Sequence, residues 1–163
     1  MAEDFIIPVW TNKCEILGYK KAEDINEKID TLHIVDIILV NKENKIFITK
    51  HEDSLWASAW TSSVNSTIRK DENPIESARR ALTLDLGLYR YDLMSVKSGY
   101  YDFNGLKKIV SIFHVKSNDT PKVNSESIEG KWVSIQEIKE MINDEMLDPL
   151  FLVAFDSMKD FIS

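Results

Sequence analysis

The sequence predicts an α/β (α+β) chain: an α/β/α sandwich around a mixed central sheet, opened by an N-terminal β-hairpin. Three observations carry this reading. Residues 33–40 are a nearly unbroken apolar run, the pattern of a strand buried on both faces. Shorter β-prone runs come in pairs around turn residues. Helix-start signals stand at Asn73-Pro74, Ser134 and Asp148-Pro149, spread between and after the strands.

Each element follows in order. Residues 5–10 and 15–19 are short strands separated by Thr11-Asn12-Lys13, a hairpin. The buried strand 33–40 turns through Asn41-Lys42-Glu43-Asn44 into a strand at 45–49. A loop at 65–72 leads to a helix capped by Asn73. Pro74 at the first helical position gives up only an N–H that would be unpaired anyway, and Glu76 is placed to reach back to the cap. Ile75, Ala78, Leu82 and Leu86 recur at helical spacing as its apolar stripe, and Gly87 closes it in a left-handed conformation. Residues 95–101 and 108–115 form an antiparallel pair through Asp102-Phe103-Asn104-Gly105. The polar stretch 117–130 is an exposed loop, and 131–133 a short strand. Ser134-Ile135-Gln136-Glu137 is a capping box for a helix reaching about Asn143. Asp148-Pro149 starts a last helix with Phe151, Leu152, Phe155, Met158 and Ile162 on one apolar face.

Composition narrows the function. At 163 residues and 44% hydrophobic content the chain is sized for one domain, 1–163, with a hairpin extension at 1–30 and a core at 31–163. The net charge of −7 argues against a general nucleic-acid binder, which needs clustered Lys and Arg. The single cysteine, Cys14, excludes an internal disulfide and reads as a small, partly buried apolar side chain. No long apolar run and no signal pattern follow Met1, so the expectation is a soluble, cytoplasmic protein without a membrane partner.

The stretch from Ser66 to Leu88 resembles the signature box of the Nudix superfamily, whose members act on diphosphate-containing metabolites with a divalent cation. That pattern is Gly, five residues, Glu, seven residues, then Arg-Glu-aliphatic-any-Glu-Glu-any-Gly-aliphatic. Glu72, Arg80, Leu82, Gly87 and Leu88 fall on its marks, while Ser66 replaces the leading Gly. Of the family's closing carboxylates the first is Ala81, the second Leu84, and the third survives as Asp85. Ile7-Pro8-Val9, Glu15-Ile16-Leu17-Gly18 and His33 are similar to the isopentenyl-diphosphate isomerase-like subgroup, as is the later Glu129-Gly130-Lys131-Trp132-Val133-Ser134. Asn65-Ser66-Thr67 stands where that subgroup has Gly-Gly-His. Asn65 tolerates a left-handed turn better than Ser66, so a reshaped loop is expected there.

The resemblance implies the site. Positions 81, 84 and 85 share one helix face, which in the family carries oxygen ligands for Mg²⁺ or Mn²⁺. Here that face holds a methyl, an isobutyl expected to be covered by another part of the fold, and one Asp, too few oxygens to hold Mg²⁺ tightly. Asp85 and Glu72 are the metal candidates, joined as catalytic candidates by Glu126 and Glu129 in the later loop. Arg80 and Gly87 are expected to support the box. Lys50 and Arg69, with His51, are candidate anion binders. Trp56, Tyr100 and Tyr101 are candidate walls for the substrate, and Trp60 is expected in the core. The implied function is a divalent-metal-dependent hydrolase of nucleoside-diphosphate-X type substrates with a degraded metal site and weak activity, using Mg²⁺ or Mn²⁺ if active. The alternative is an inactive Nudix-fold protein that binds a ligand or partner and needs no cofactor. An isomerase is disfavoured, because residues 60–65 lack the cysteine it uses and a serine hydroxyl is a far weaker acid. The expected partner is a small diphosphate-containing molecule or another small ligand, with a homodimer left open.

Overall fold

A computed structural model describes residues 5–52 and 59–162. The elements are β1 (Ile6–Trp10), β2 (Ile16–Lys21), β3 (Leu32–Val40), β4 (Ile46–His51), β5 (Val64–Thr67), α1 (Pro74–Leu86), β6 (Asp92–Phe103), β7 (Leu106–Lys116), β8 (Ile128–Val133), α2 (Ile135–Asn143) and α3 (Pro149–Ile162). Strands β1 and β2 form a separate antiparallel hairpin, while the main sheet runs β6-β7-β3-β4-β8 with β5 also on β3. The β3–β7 pair is parallel and the other pairs are antiparallel, so the sheet is mixed as expected.

Strand β3 explains the layering. Every one of its residues is buried, so alternate side chains feed two cores. Ile34, Ile38 and Val40 pack beneath α2 and α3, with Phe151, Phe155 and Met158. Val35, Ile37 and Leu39 pack beneath α1, with Ala78, Leu82 and Leu86. No described helix is long and apolar enough to cross a membrane.

The caps form where the sequence places them. Asn73 accepts from Glu76 N at 2.8 Å while Glu76 accepts from Asn73 N at 2.9 Å, and Gly87 ends the helix at φ 63°. Ser134 and Glu137 make the second capping box, and Asp148 Oδ1 accepts from Phe151 N at 2.8 Å to start α3.

Several expectations are corrected. Residues 64–67 are strand rather than loop, because their backbone pairs with Ile34–Ile37 of β3, and the left-handed turn falls on Asp71 (φ 66°), not on Asn65. Ile75 is 49% exposed and lies off the buried stripe of α1, which instead takes in Ser77 and Ala81. Leu84 is 59% exposed; nothing described covers it. Leu152 sits on the outer side of α3, and Cys14 is exposed at the hairpin turn with φ 62°. Strand β8 begins at Ile128, inside the stretch expected to be loop.

One arrangement positions everything that follows. Strands β3 and β4 pair only at Leu39–Phe47 and Val40–Ile46 and then part. Residues 60–63 fill the gap as a wedge. Thr49 and Thr61 exchange backbone hydrogen bonds at 3.1 and 2.7 Å. Ser63 Oγ donates to Phe47 O at 2.6 Å and accepts from Leu39 N at 2.8 Å, satisfying the backbone groups that the splayed strands would otherwise leave unpaired.

Candidate functional site

The loop from Thr67 to Asn73 and the helix it enters are held by one ion pair. Arg80 Nε and Nη2 donate to the two Glu72 oxygens, each at 2.8 Å, and Nη2 also reaches Thr67 O at 3.1 Å. Arg69 N donates to Glu72 Oε1 at 3.1 Å. Burial alone would raise the Glu72 pKa, but the Arg80 and Arg69 bonds outweigh it and hold the carboxyl below its ordinary range. The planar guanidinium matches both oxygens at once, which Lys could not do. Both oxygens of Glu72 are thus occupied within the fold.

Asp85 lies one turn beyond, on the exposed end of α1, half-buried. Burial raises its pKa, and Arg80, an Asn124 hydrogen bond, His51 and Arg69 pull it back down without cancelling the rise. Asn124 Nδ2 donates to Asp85 Oδ1 at 3.3 Å and to Leu84 O at 3.1 Å, tying the β7–β8 loop to the helix end. Ala81 is 1% exposed and belongs to the core beneath α1, so it faces the sheet rather than the site. What surrounds Asp85 is therefore mostly cationic.

Beside this lies a cleft of about 280 Å³ between the hairpin and the box loop. Phe5, Ile7, Ile25 and Leu32 give it an apolar wall; Ser66, Thr67, Arg69 and Arg80 give it a polar one. The Arg69 guanidinium sits 3.3 Å from the centre of the Phe5 ring, a cation–π contact that holds the side chain across the cleft. Burial lowers the Arg69 pKa and the adjacent Arg80 lowers it further, while Glu72 and Asp85 raise it; it stays charged at any working pH.

The other sequence candidates scatter. Lys50 lies on the opposite face of β4 from His51; its Nζ is 5.6 Å from the centre of the buried Trp60 ring, near Lys131 at 4.4 Å. Glu129 pairs in register with Lys50 and is exposed, as is Glu126 in the turn before β8. Tyr100 and Tyr101 project to opposite faces of β6; Tyr101 stacks on Phe103 at 6.0 Å, and neither tyrosine lines the cleft. Trp56 lies outside the described residues.

Sequence reasoning missed Phe5, Thr67 and Asn124, which carry no motif and become neighbours of the site only through tertiary structure. It also missed Asp36, a lone carboxylate in the apolar run of β3, whose position in that run was a readable signal.

The donor set can be tested against a resident Mg²⁺ or Mn²⁺. Such a cation needs several oxygen ligands, yet Asp85 is one carboxylate amid cations and Glu72 is taken by Arg80. Among the described residues no group of three or more His, Cys, Asp or Glu side chains converges. These residues do not fit a tightly held cation.

No protein-family model matches the chain, and no curated protein matches it in sequence. Solved structures do. DR0079 from Deinococcus radiodurans superposes with a TM-score of 0.77 at 18% identity, over 93% of this chain and 98% of that one. The Nudix domain of Shewanella oneidensis NrtR, complexed with ADP ribose, gives 0.68 at 12% identity over 88% and 94%. MutT from Methanosarcina mazei Go1 gives 0.66 at 19% identity over 80% and 94%. A Nudix hydrolase from Nitrosomonas europaea shares the same architecture. The chain has the fold of the Nudix hydrolases; identities this low establish the fold and not the reaction.

Proposed function

We propose that this Nudix-fold chain binds a small diphosphate-containing molecule beside Asp85, through Arg69 and the Ser66–Thr67 edge of the cleft, and hydrolyses it at most weakly. The observation that carries the reading is the charge around Asp85. Asp85 stands beside Arg69, His51 and Arg80, and the one other carboxylate there, Glu72, is taken up by Arg80, where a cation-dependent hydrolase would leave carboxylates open to the metal. Such a cluster favours a phosphate oxyanion over Mg²⁺, since the oxyanion meets donors directly and the metal would meet repulsion. NrtR's Nudix domain, with the same fold, is complexed with ADP ribose, itself a diphosphate-bridged molecule, which supports the ligand class.

The test is calorimetry with inorganic pyrophosphate and with ADP ribose, in EDTA and in Mn²⁺. Pyrophosphate should bind in EDTA, Asp85→Asn should keep or tighten that binding, and Arg69→Ala should weaken it about tenfold, the loss of one charge-assisted contact. Binding that requires Mn²⁺ and vanishes in Asp85→Asn would overturn the reading, as would strong Mg²⁺-dependent turnover abolished by that variant.

A further inference from the structure

The wedge at residues 60–63 joins two buried acids that the site does not use. Asp36, in the central strand, is 0% exposed; Ser62 Oγ donates to its Oδ2 at 2.8 Å, and its Oδ1 has no partner among the described residues. Asp148, 4% exposed, heads α3. It is bound to the same wedge, since Asp148 N donates to Trp60 O at 3.0 Å and Trp60 N donates to Met146 O at 2.8 Å. One short segment therefore links the middle of the sheet, through Ser62, to the start of α3, through Trp60.

We propose that Asp36 is a proton-dependent latch: while it is neutral the wedge and the head of α3 stay closed against β3, and when it ionises the uncompensated buried charge opens both. The physical reason is local. The titratable groups facing the pair are Asp148 from α3 and His51 from β4, which bears on Asp148; Lys50 and Lys131 lie over the Trp60 ring. In the register of β3, Asp36 meets the uncharged Asn65 and Ile112. Ionised Asp36 would place a second negative charge beside Asp148 in the interior, with one hydroxyl to solvate it. Movement of Ser62 and the α3 head outward admits water and relieves that cost. Burial accordingly pushes Asp36 well above its ordinary range, with Asp148 adding to the rise and Ser62 opposing it.

The sign follows from linkage. The closed state binds the proton and the open state, titrating near the ordinary 3.8, releases it. Closure is complete at acidic pH and is lost as pH rises toward the closed-state value. Between the two values the opening constant grows about tenfold per pH unit, one proton being released. Opening would reach the candidate site, because Thr61 pairs with Thr49 and the Thr49 hydroxyl bonds His51 Nε2 at 3.1 Å. The latch is independent of which ligand the cleft takes.

Amide hydrogen exchange on the whole chain tests it, read at Trp60, Thr61 and Phe151 from about pH 5 to about pH 8 and corrected for intrinsic rates. Wild-type protection at these amides should fall with rising pH, by about tenfold per unit until the closed-state value is passed, and Asp36→Asn should abolish that slope while leaving β7 amides unchanged. A flat wild-type profile, or the same slope in Asp36→Asn, overturns the latch. Should that variant not fold, a carboxyl-carbon NMR titration of wild-type Asp36 decides: a midpoint well above 3.8 is required, and one in the ordinary range overturns the proposal.

Discussion

Replacing Arg80 by Met separates the structural marks of the box from its chemical ones. Met keeps much of the apolar stem and removes the guanidinium, so the lost quantity is the bonding to Glu72 and Thr67. Two of those bonds are charge-assisted at 2.8 Å, and the paired side chains are only 19% and 15% exposed, so solvent screens them little. A charge-assisted bond contributes about 1.5–3 kcal/mol net, and breaking a fully buried pair costs about 3–5 kcal/mol. With residual access to water, the expected loss is about 3 kcal/mol, or roughly 6–12 °C in Tm for a chain of this size. Arg80→Lys, which cannot span both oxygens, should lose about half as much. The pH dependence gives a second check. The Glu72 pKa is held below 4.5, so the pair's contribution is present above that value and disappears as pH falls through the folded-state value. The gap between wild type and Arg80→Met in urea unfolding should therefore shrink in acid. A loss at neutral pH below about 1 kcal/mol, or a gap that persists when Glu72 is protonated, would refute the reasoning.

Other substitutions test the site and its supports. Restoring carboxylates at both 81 and 84 would raise metal affinity only if both positions faced the cleft, and they do not. Ala81→Glu buries a carboxylate beneath α1 and should cost at least about 3 kcal/mol, whereas Leu84→Glu, on a surface position, should stay within about 0.5 kcal/mol and give no Mn²⁺-dependent rise in Tm. Thermal melting with and without Mn²⁺ reads both, and a stable Ala81→Glu protein would contradict the burial. Gly130→Ala places a methyl group inside the Phe47 ring, which already packs edge-on to Trp132, and should cost about 1–3 kcal/mol by melting. Gly87→Ala should cost about 1 kcal/mol for backbone strain alone, because its nearest new neighbour, Lys122 Cβ, lies at 3.9 Å.

What the sequence disclosed was local. Asn73, Glu76, Ser134 and Glu137 act within one helical turn, so their capping boxes could be read from spacing, and the apolar run of β3 announced a strand buried on both faces. What it hid was tertiary. The run 64–67 has weak strand composition and is a strand only because β3, distant in sequence, offers it a ladder from Ile34–Thr67 to Ile37–Val64. Ala81 and Leu84 looked like equal losses of a carboxylate. Helix rotation against the sheet buries one and exposes the other, which no pattern along α1 specified. Arg69 was legible as a cation, but its seat on Phe5 depends on where the hairpin docks. Asn124 entered the site from a loop whose polar composition marked it merely as exposed.

The box positions divide by what holds them. Glu72, Arg80, Leu82, Gly87 and Leu88 are fixed by an ion pair, by core packing and by a left-handed cap, all of which the fold needs whether or not a metal binds. Position 84 faces solvent and position 85 faces cations, so neither is constrained by the core. A chain can therefore keep these scaffold marks of the motif whatever groups stand around its cleft. The Arg80–Glu72 pair fixes the shape of the loop, and the groups around Asp85 decide what that loop can hold. The two questions have separate experiments: unfolding of Arg80 variants probes the first, and pyrophosphate binding in EDTA probes the second.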